Sequence, residues 1–281
     1  MNYYFVSTDH FEDKDWFLDE EDFKAGMNLV AVVKSVTGMA ILAFVLMSNH
    51  LHFIFKASRP QAVSVFIDHY KQVYAMYVRK KYEKKEFLRR NRVDIQELPI
   101  EGERLERTIA YTLMNPVAAR ICATPDAWRW GSGGCYFNRA PLAGKPISAL
   151  SQRYCKRMFH TNATLDPFMI VSDDCLILPQ TYVETEAVEK RFRTPARFSY
   201  FLNTSTAAKN RPEQVRSVFF RDQTVLAAIP EINEQLFGTQ QLDREQTVRL
   251  ARELRQRFHS DARQLARVLG LRPEAAAELW Q

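Results

Sequence analysis

Residues 39–56 read MAILAFVLMSNHLHFIFK. An apolar run ends at Met47-Ser48-Asn49, and a second extended run begins at His50. Two strands this close in sequence can be joined only by a tight antiparallel turn. Successive strand residues point to opposite faces, so His50 and His52 project together while Leu51 turns into the apolar layer. Two imidazoles side by side on a rigid strand can hold a divalent metal. By spacing alone, a surface pair or a satisfied core pair is the commoner explanation.

Working outward, residues 2–8 are aromatic and β-branched and predict a first strand. The acidic stretch from Asp9 to Asp22 leads into a helix over about 20–35, where carboxylates suit the N-terminal dipole, and Thr37-Gly38 ends it. Beyond the two central strands, Val63, Phe66, Ile67, Tyr70, Val73, Tyr74 and Tyr77 recur at helical spacing and predict a long amphipathic helix. Its far end is basic, with nine Lys/Arg against two Glu over positions 71–92. Val93, Ile95 and Leu98 mark a fourth strand, and a helix over about 103–115 closes at Pro116. The order β-α-β-β-α-β-α predicts an α+β fold, a ferredoxin-like split βαβ antiparallel sheet.

Residues 1–138 read as one domain. Its end holds a glycine-rich loop, Trp128-Arg129-Trp130-Gly131-Ser132-Gly133-Gly134. Residues 139–188, with four prolines and no clear period, read as an extended linker that packs along the first domain. Residues 189–281 form a basic, all-α C-terminal region. Within it, Ser260 to Pro273 has a small residue, Ala266, and then Gly270 four positions on, as a helix-turn-helix would at 260–281. A small helical bundle with a solvated arginine face explains that stretch equally well.

The 281 residues carry a net charge of +6 and a sequence pI near 9.1, which favours a polyanionic partner. Four cysteines without a C-x-x-C pair or zinc-finger spacing read as reduced thiols. The N-terminus lacks the pattern of a signal peptide, and the longest apolar run is too short to span a membrane. The expected location is the cytoplasm, with no membrane partner.

On the helix over 103–115, Leu105, Ile109, Thr112 and Leu113 form the inward stripe. Tyr111 falls off it, and Arg107 and Asn115 lie four residues to either side on the same face. An exposed tyrosine would look the same. Asn115-Pro116 also reads as a helix N-cap followed by proline at the first helical position, which requires no metal.

Ser48-Asn49-His50-Leu51-His52 on a strand, Tyr111-Thr112-Leu113-Met114-Asn115-Pro116 about sixty residues later, and then Trp130-Gly131-Ser132 together resemble the single-tyrosine HUH transposases. Within these, the chain most resembles the REP-associated tyrosine transposases. The resemblance covers roughly residues 1–138. It implies the ferredoxin-like fold, His50, His52 and Asn115 as metal ligands, and Tyr111 as the nucleophile. The family's Gly-x-x-Trp-x-x-Arg loop has no tryptophan counterpart in residues 89–94.

The implied activity is cleavage and rejoining of single-stranded DNA through a 5′-phosphotyrosine, with Mg²⁺ or Mn²⁺ as cofactor. Nitrogen ligands suit Mn²⁺ better than the harder Mg²⁺. A phenol titrates near 10 and needs activation at neutral pH. The expected partner is single-stranded or hairpin DNA, met by Arg107, Lys80, Lys81, Lys84, Lys85, Arg89 and Arg90, with Trp128 and Trp130 stacking bases. A domesticated, non-catalytic DNA-binding protein is the alternative, although retention of His50, His52 and Tyr111 speaks for the enzyme.

Overall fold

A computed structural model of the chain describes residues 1–8, 15–83, 93–205, 222–258, 260 and 262–271. Strand β1 (Asn2–Thr8) opens the fold. Helix α1 (Glu20–Thr37) begins where the Asp19 side chain accepts from the Asp22 amide, and three acidic residues occupy its first turn. It stops at Gly38, whose φ of 66° lets its N–H reach the Lys34 carbonyl at 2.8 Å. Strands β2 (Ala40–Met47) and β3 (His50–Ala57) form the hairpin, followed by helix α2 (Pro60–Tyr82) and strand β4 (Val93–Leu98).

The sheet order is β2-β3-β1-β4, and every pairing is antiparallel. Two β-α-β crossovers interleave to give this order, as a ferredoxin-like split βαβ unit requires. Helices α1 and α2 pack together on one face. On that side Phe53 and Phe55 meet the Phe66 ring of α2 at 5.8 and 4.8 Å between centroids. The opposite face is covered by α3 (Arg104–Leu113) and, past the short α4 (Asn115–Ala118), by later elements. Strands β2 and β3 are therefore buried on both faces. That is why the sequence of β2 is continuously apolar and lacks a period of two. β4, at the edge, alternates as a half-exposed strand does.

The outer edge of β2 is not left open. The Leu46 amide donates to the Trp130 carbonyl at 2.9 Å, the Ser132 amide to the Phe44 carbonyl at 2.9 Å, and the Glu184 amide to the Ile41 carbonyl at 2.9 Å. Ser132 Oγ accepts from the Phe44 amide at 3.0 Å. The glycine-rich loop thus serves as a cover for the sheet edge.

Residues 139–188 hold the short strands β5 (Lys145–Pro146) and β6 (Ile170–Val171), with α5 (Gln152–Met158) between them. They pack along α1. Buried Asn28 donates to the Cys175 carbonyl at 2.9 Å and accepts from the Ile177 amide at 2.8 Å. Phe159, Ile177 and Tyr182 join the core. Helices α6 (Thr185–Phe192) and α7 (Pro195–Thr204) then return to α3. Helices α8 (Asp222–Phe237), α9 (Arg244–Phe258) and α10 (Ala262–Leu269) complete the described chain, with α8 packed on both of the others. α10 ends at Gly270, φ 63°, with the Leu271 amide on the Ala266 carbonyl at 2.9 Å. The second helix expected at 260–281 falls outside the described residues. No described helix is long and apolar enough to cross a membrane.

A Cβ at position 131 would lie 2.8 Å from the Phe44 carbonyl oxygen, a backbone atom with little room to move. Gly131→Ala is expected to cost about 1–3 kcal/mol in urea unfolding, whereas Gly38→Ala, with nothing within 4 Å of its added Cβ, should show only the milder strain of its positive φ.

Candidate active site

The hairpin register sets Val45 opposite His52 and Met47 opposite His50. On β1, Ser7 lies opposite His52. Both imidazoles emerge on the face away from α2. Their ring centroids are 4.8 Å apart, and both are buried. Phe5 stacks on His52 at 5.5 Å with planes 16° apart, which fixes the orientation of that ring. The start of the strand is held by the Leu51 amide, which donates to buried Thr8 Oγ1 at 2.9 Å. His50 Nδ1 lies 2.8 Å from Asn49 Oδ1. An amide oxygen can only accept, so Nδ1 carries the proton and Nε2 is the nitrogen with a lone pair to offer.

Helix α3 supplies the third group. Leu105, Ile109, Ala110, Thr112 and Leu113 are buried against the sheet, and this stripe turns Tyr111 to the opposite side of the helix axis, 39% exposed. Its ring stands edge-on to His52 at 6.0 Å between centroids and edge-on to Phe5 at 6.2 Å. Two imidazoles on one strand and a phenol 59 residues beyond His52 are thus brought side by side.

Asn115 departs from its expected capping role. Met114 is the N-cap of α4, Asn115 is its first residue, and Pro116 follows. The Asn115 amide nitrogen donates backward to the Tyr111 carbonyl at 3.0 Å and the Thr112 carbonyl at 3.4 Å. Its nitrogen is committed to closing α3, so its oxygen is the atom that could ligate a cation. The donor set, two imidazole nitrogens plus an amide oxygen, fits a divalent ion with open positions. Among the described residues, no three His, Cys, Asp or Glu side chains converge, here or at any other place.

Two further features escape a reading of the sequence. Phe5 is one is them, identifiable only once the β1–β3 register is known. The other is a clamp on α3. Buried Glu106 meets Arg191 of α6 at 3.2 Å and Arg197 of α7 at 3.5 Å. Arg191 also donates to the Gly102 carbonyl at 2.7 Å. The Arg107 guanidinium pairs with Glu103 at 2.8 Å and lies 5.5 Å from the Phe201 ring centroid, so it leans toward α7 while remaining half exposed.

The remaining candidates are spread out. Lys80 and Lys81 end α2, on the other side of the sheet. Lys80 is exposed, but half-buried Lys81 is tied to two carboxylates, 2.7 Å from Asp19 and 2.8 Å from buried Asp22. Lys81 is thereby corrected from a phosphate contact to a structural cation. Burial and the Asp19 charge push the Asp22 carboxyl up, against the pull of Lys81. Trp128 and Trp130 are corrected likewise. Both are buried, Trp128 Nε1 donates to the Leu46 carbonyl at 3.0 Å, and Trp130 is stacked between Phe23 and Arg129. Their ring faces are already covered, which leaves none for a base. Lys84, Lys85, Arg89 and Arg90 lie outside the described residues.

Removing Glu106 would leave two guanidinium groups without their shared carboxylate and loosen the helix that carries Tyr111. Glu106→Ala is expected to cost about 2–3 kcal/mol in urea unfolding. Glu103→Ala, which removes only the exposed pairings to Arg107 and Arg197, should cost less than about 1 kcal/mol.

Comparison with known proteins bears on what this site is. No curated protein matches the chain. A solved structure of a REP-associated tyrosine transposase bound to a REP hairpin is similar at 12% identity and a TM-score of 0.36, over 47% of this chain and 76% of that one. Residues 12–92, which include the hairpin with His50 and His52, match the family of IS200-like transposases. Over that segment, less than a third of its length, the chain is similar to the IS200-like transposases.

Proposed function

We propose that the protein cleaves and rejoins single-stranded DNA, with Tyr111 as nucleophile and His50, His52 and Asn115 as the ligands of a divalent cation, Mg²⁺ or Mn²⁺. The observation that carries this reading is the approach of Tyr111 on α3 to His52 on β3, 6.0 Å between ring centroids across two separate elements. In the same reading, residues 1–138 are the catalytic domain and the helical region 189–281 supports it.

The phenol is exposed enough to meet a DNA backbone, yet held by Phe5 and His52 on one side. In the proposed reaction, Tyr111 Oη forms a bond to phosphorus as the bond from phosphorus to the 3′-oxygen breaks. The phenolic proton passes to solvent, and the leaving 3′-oxygen takes one up as a hydroxyl. The phosphodiester energy is retained in the 5′-phosphotyrosine, so a 3′-hydroxyl can reverse the step and join strands. A bound divalent ion would withdraw charge from a non-bridging phosphate oxygen and help to align it. His50, oriented by Asn49, and His52, oriented by Phe5, hold the donor nitrogens rigidly on the strand.

Labelled single-stranded hairpin DNA incubated with the protein and Mn²⁺ is expected to give a protein–DNA adduct on a denaturing gel. Tyr111→Phe should abolish the adduct, and a His50→Ala/His52→Ala variant should reduce it to background. Hairpin binding that persists with no adduct from wild type across varied hairpins would favour a non-catalytic DNA-binding protein.

Mn²⁺ affinity supplies a second check. Loss of the Asn49 contact should weaken it about 10-fold in Asn49→Ala. Asn115→Ala should weaken Mn²⁺ binding and also destabilise the fold by about 1 kcal/mol. Lower stability with unchanged Mn²⁺ affinity would leave Asn115 as a helix-closing residue only.

A further inference from the structure

Behind the sheet, on the face away from Tyr111, the second half of α2 and the segment around α5 enclose an open groove of about 720 Å³. Its walls carry Tyr77 and Lys80 from α2, with Arg153, Lys156, Arg157 and His160 from the other side. Among the described residues, no carboxylate lines it. Lys80, Arg153, Lys156 and Arg157 are exposed, and none forms an ion pair among the described residues. Elsewhere Lys24, Lys81, Arg129, Arg139, Arg191 and Arg197 meet acidic partners. The adjoining cleft does contain Glu21 and Asp174, but Lys81 and Arg129, respectively, answer those charges. Burial, and after it the Lys80 charge, lowers the proton affinity of His160.

Four unpaired cations around one groove repel each other, and holding them there costs free energy that a polyanion would recover. The groove also has a ring wall. Tyr77 and His160 lie 5.3 Å apart between centroids. Tyr77 is already stacked on Tyr74, but His160 is exposed, and a ring beside cations that can track a backbone is the arrangement of a single-strand site. Its position fits as well. The Tyr74 hydroxyl donates to the Trp16 carbonyl at 2.6 Å, and the Trp16 amide donates to the Ser48 carbonyl at 2.6 Å. This part of α2 is therefore level with the turn that precedes His50. The groove and the Tyr111 site open at the same end of the sheet, on opposite faces.

We infer that this groove binds the phosphodiester backbone of a single DNA strand, as a second contact apart from the Tyr111 site. The inference rests on the proposed single-strand chemistry for its choice of ligand. Two thirds of the residues lining the groove come from 151–162, beyond the segment that matches the transposase family.

The test compares the full chain carrying Tyr111→Phe with the same chain carrying, in addition, Arg153→Ala, Lys156→Ala and Arg157→Ala. Binding of a labelled single-stranded oligodeoxynucleotide is measured by fluorescence anisotropy over a range of salt. The inference predicts weaker binding and a plot of log affinity against log salt shallower by about 2, for three lost phosphate contacts. An unchanged slope would overturn it. Inorganic phosphate at equal ionic strength should compete poorly; phosphate that displaces the strand efficiently would mean a small-anion site instead. In the wild-type chain, bound oligonucleotide should protect Lys80 and Lys156 from amine acetylation while Lys145, outside the groove, stays reactive. Equal labelling of Lys80 and Lys156 with and without DNA would also overturn it. Adduct formation at Tyr111 is a separate readout, so the groove and the catalytic proposal can fail independently.

Discussion

The structure depends on the alternation of side chains along β3 between two covered faces. Phe53 and Phe55 turn to α2, where their rings pack against Phe66 and anchor one helical layer. His50 and His52 turn to the opposite face, toward α3. A slip of one residue in the pairing would exchange the two sets, placing imidazoles in the apolar layer and phenylalanines at the site. Apolar burial of one face therefore fixes the register that brings the histidines together. Packing and chemistry share one strand and are separated by its pleat.

The helix opposite obeys the same logic. α3 is held by its buried stripe, which leaves Tyr111 on the outside. Shape alone would allow the helix to roll, and the Glu106–Arg191–Arg197 cluster opposes that movement from the side. Asn115 closes the helix by bonding the Tyr111 and Thr112 carbonyls. The helix that carries the phenol is thus held in part by residues 185–204, well beyond the segment that matches the transposase family.

Much of this could be read from the sequence because it is local. The strand and helix periods of the first hundred residues are set by neighbours in the chain, and the order β-α-β-β-α-β admits few sheet topologies. Tyr111 could be placed off the inward stripe by counting residues per turn. Long-range packing could not be read in this way. Trp128 and Trp130 looked available for bases, but they are buried around Phe23 because the glycine-rich loop covers the β2 edge. Lys81 looked like one more cation in a basic run, yet its partners Asp19 and Asp22 lie some sixty residues earlier. Phe5 has no motif to identify it. Its role depends on the β1–β3 register, which only the folded sheet reveals.

The central claim is that strand β3 and helix α3 build one composite site, with Tyr111 as its reacting group. Proteolysis of the covalent DNA complex followed by tandem mass spectrometry of the nucleotide-bearing peptide tests it most directly. The account predicts a 5′-phosphodiester on Tyr111 Oη and on no other tyrosine. A nucleotide found on a different residue, with Tyr111 unmodified, would contradict it.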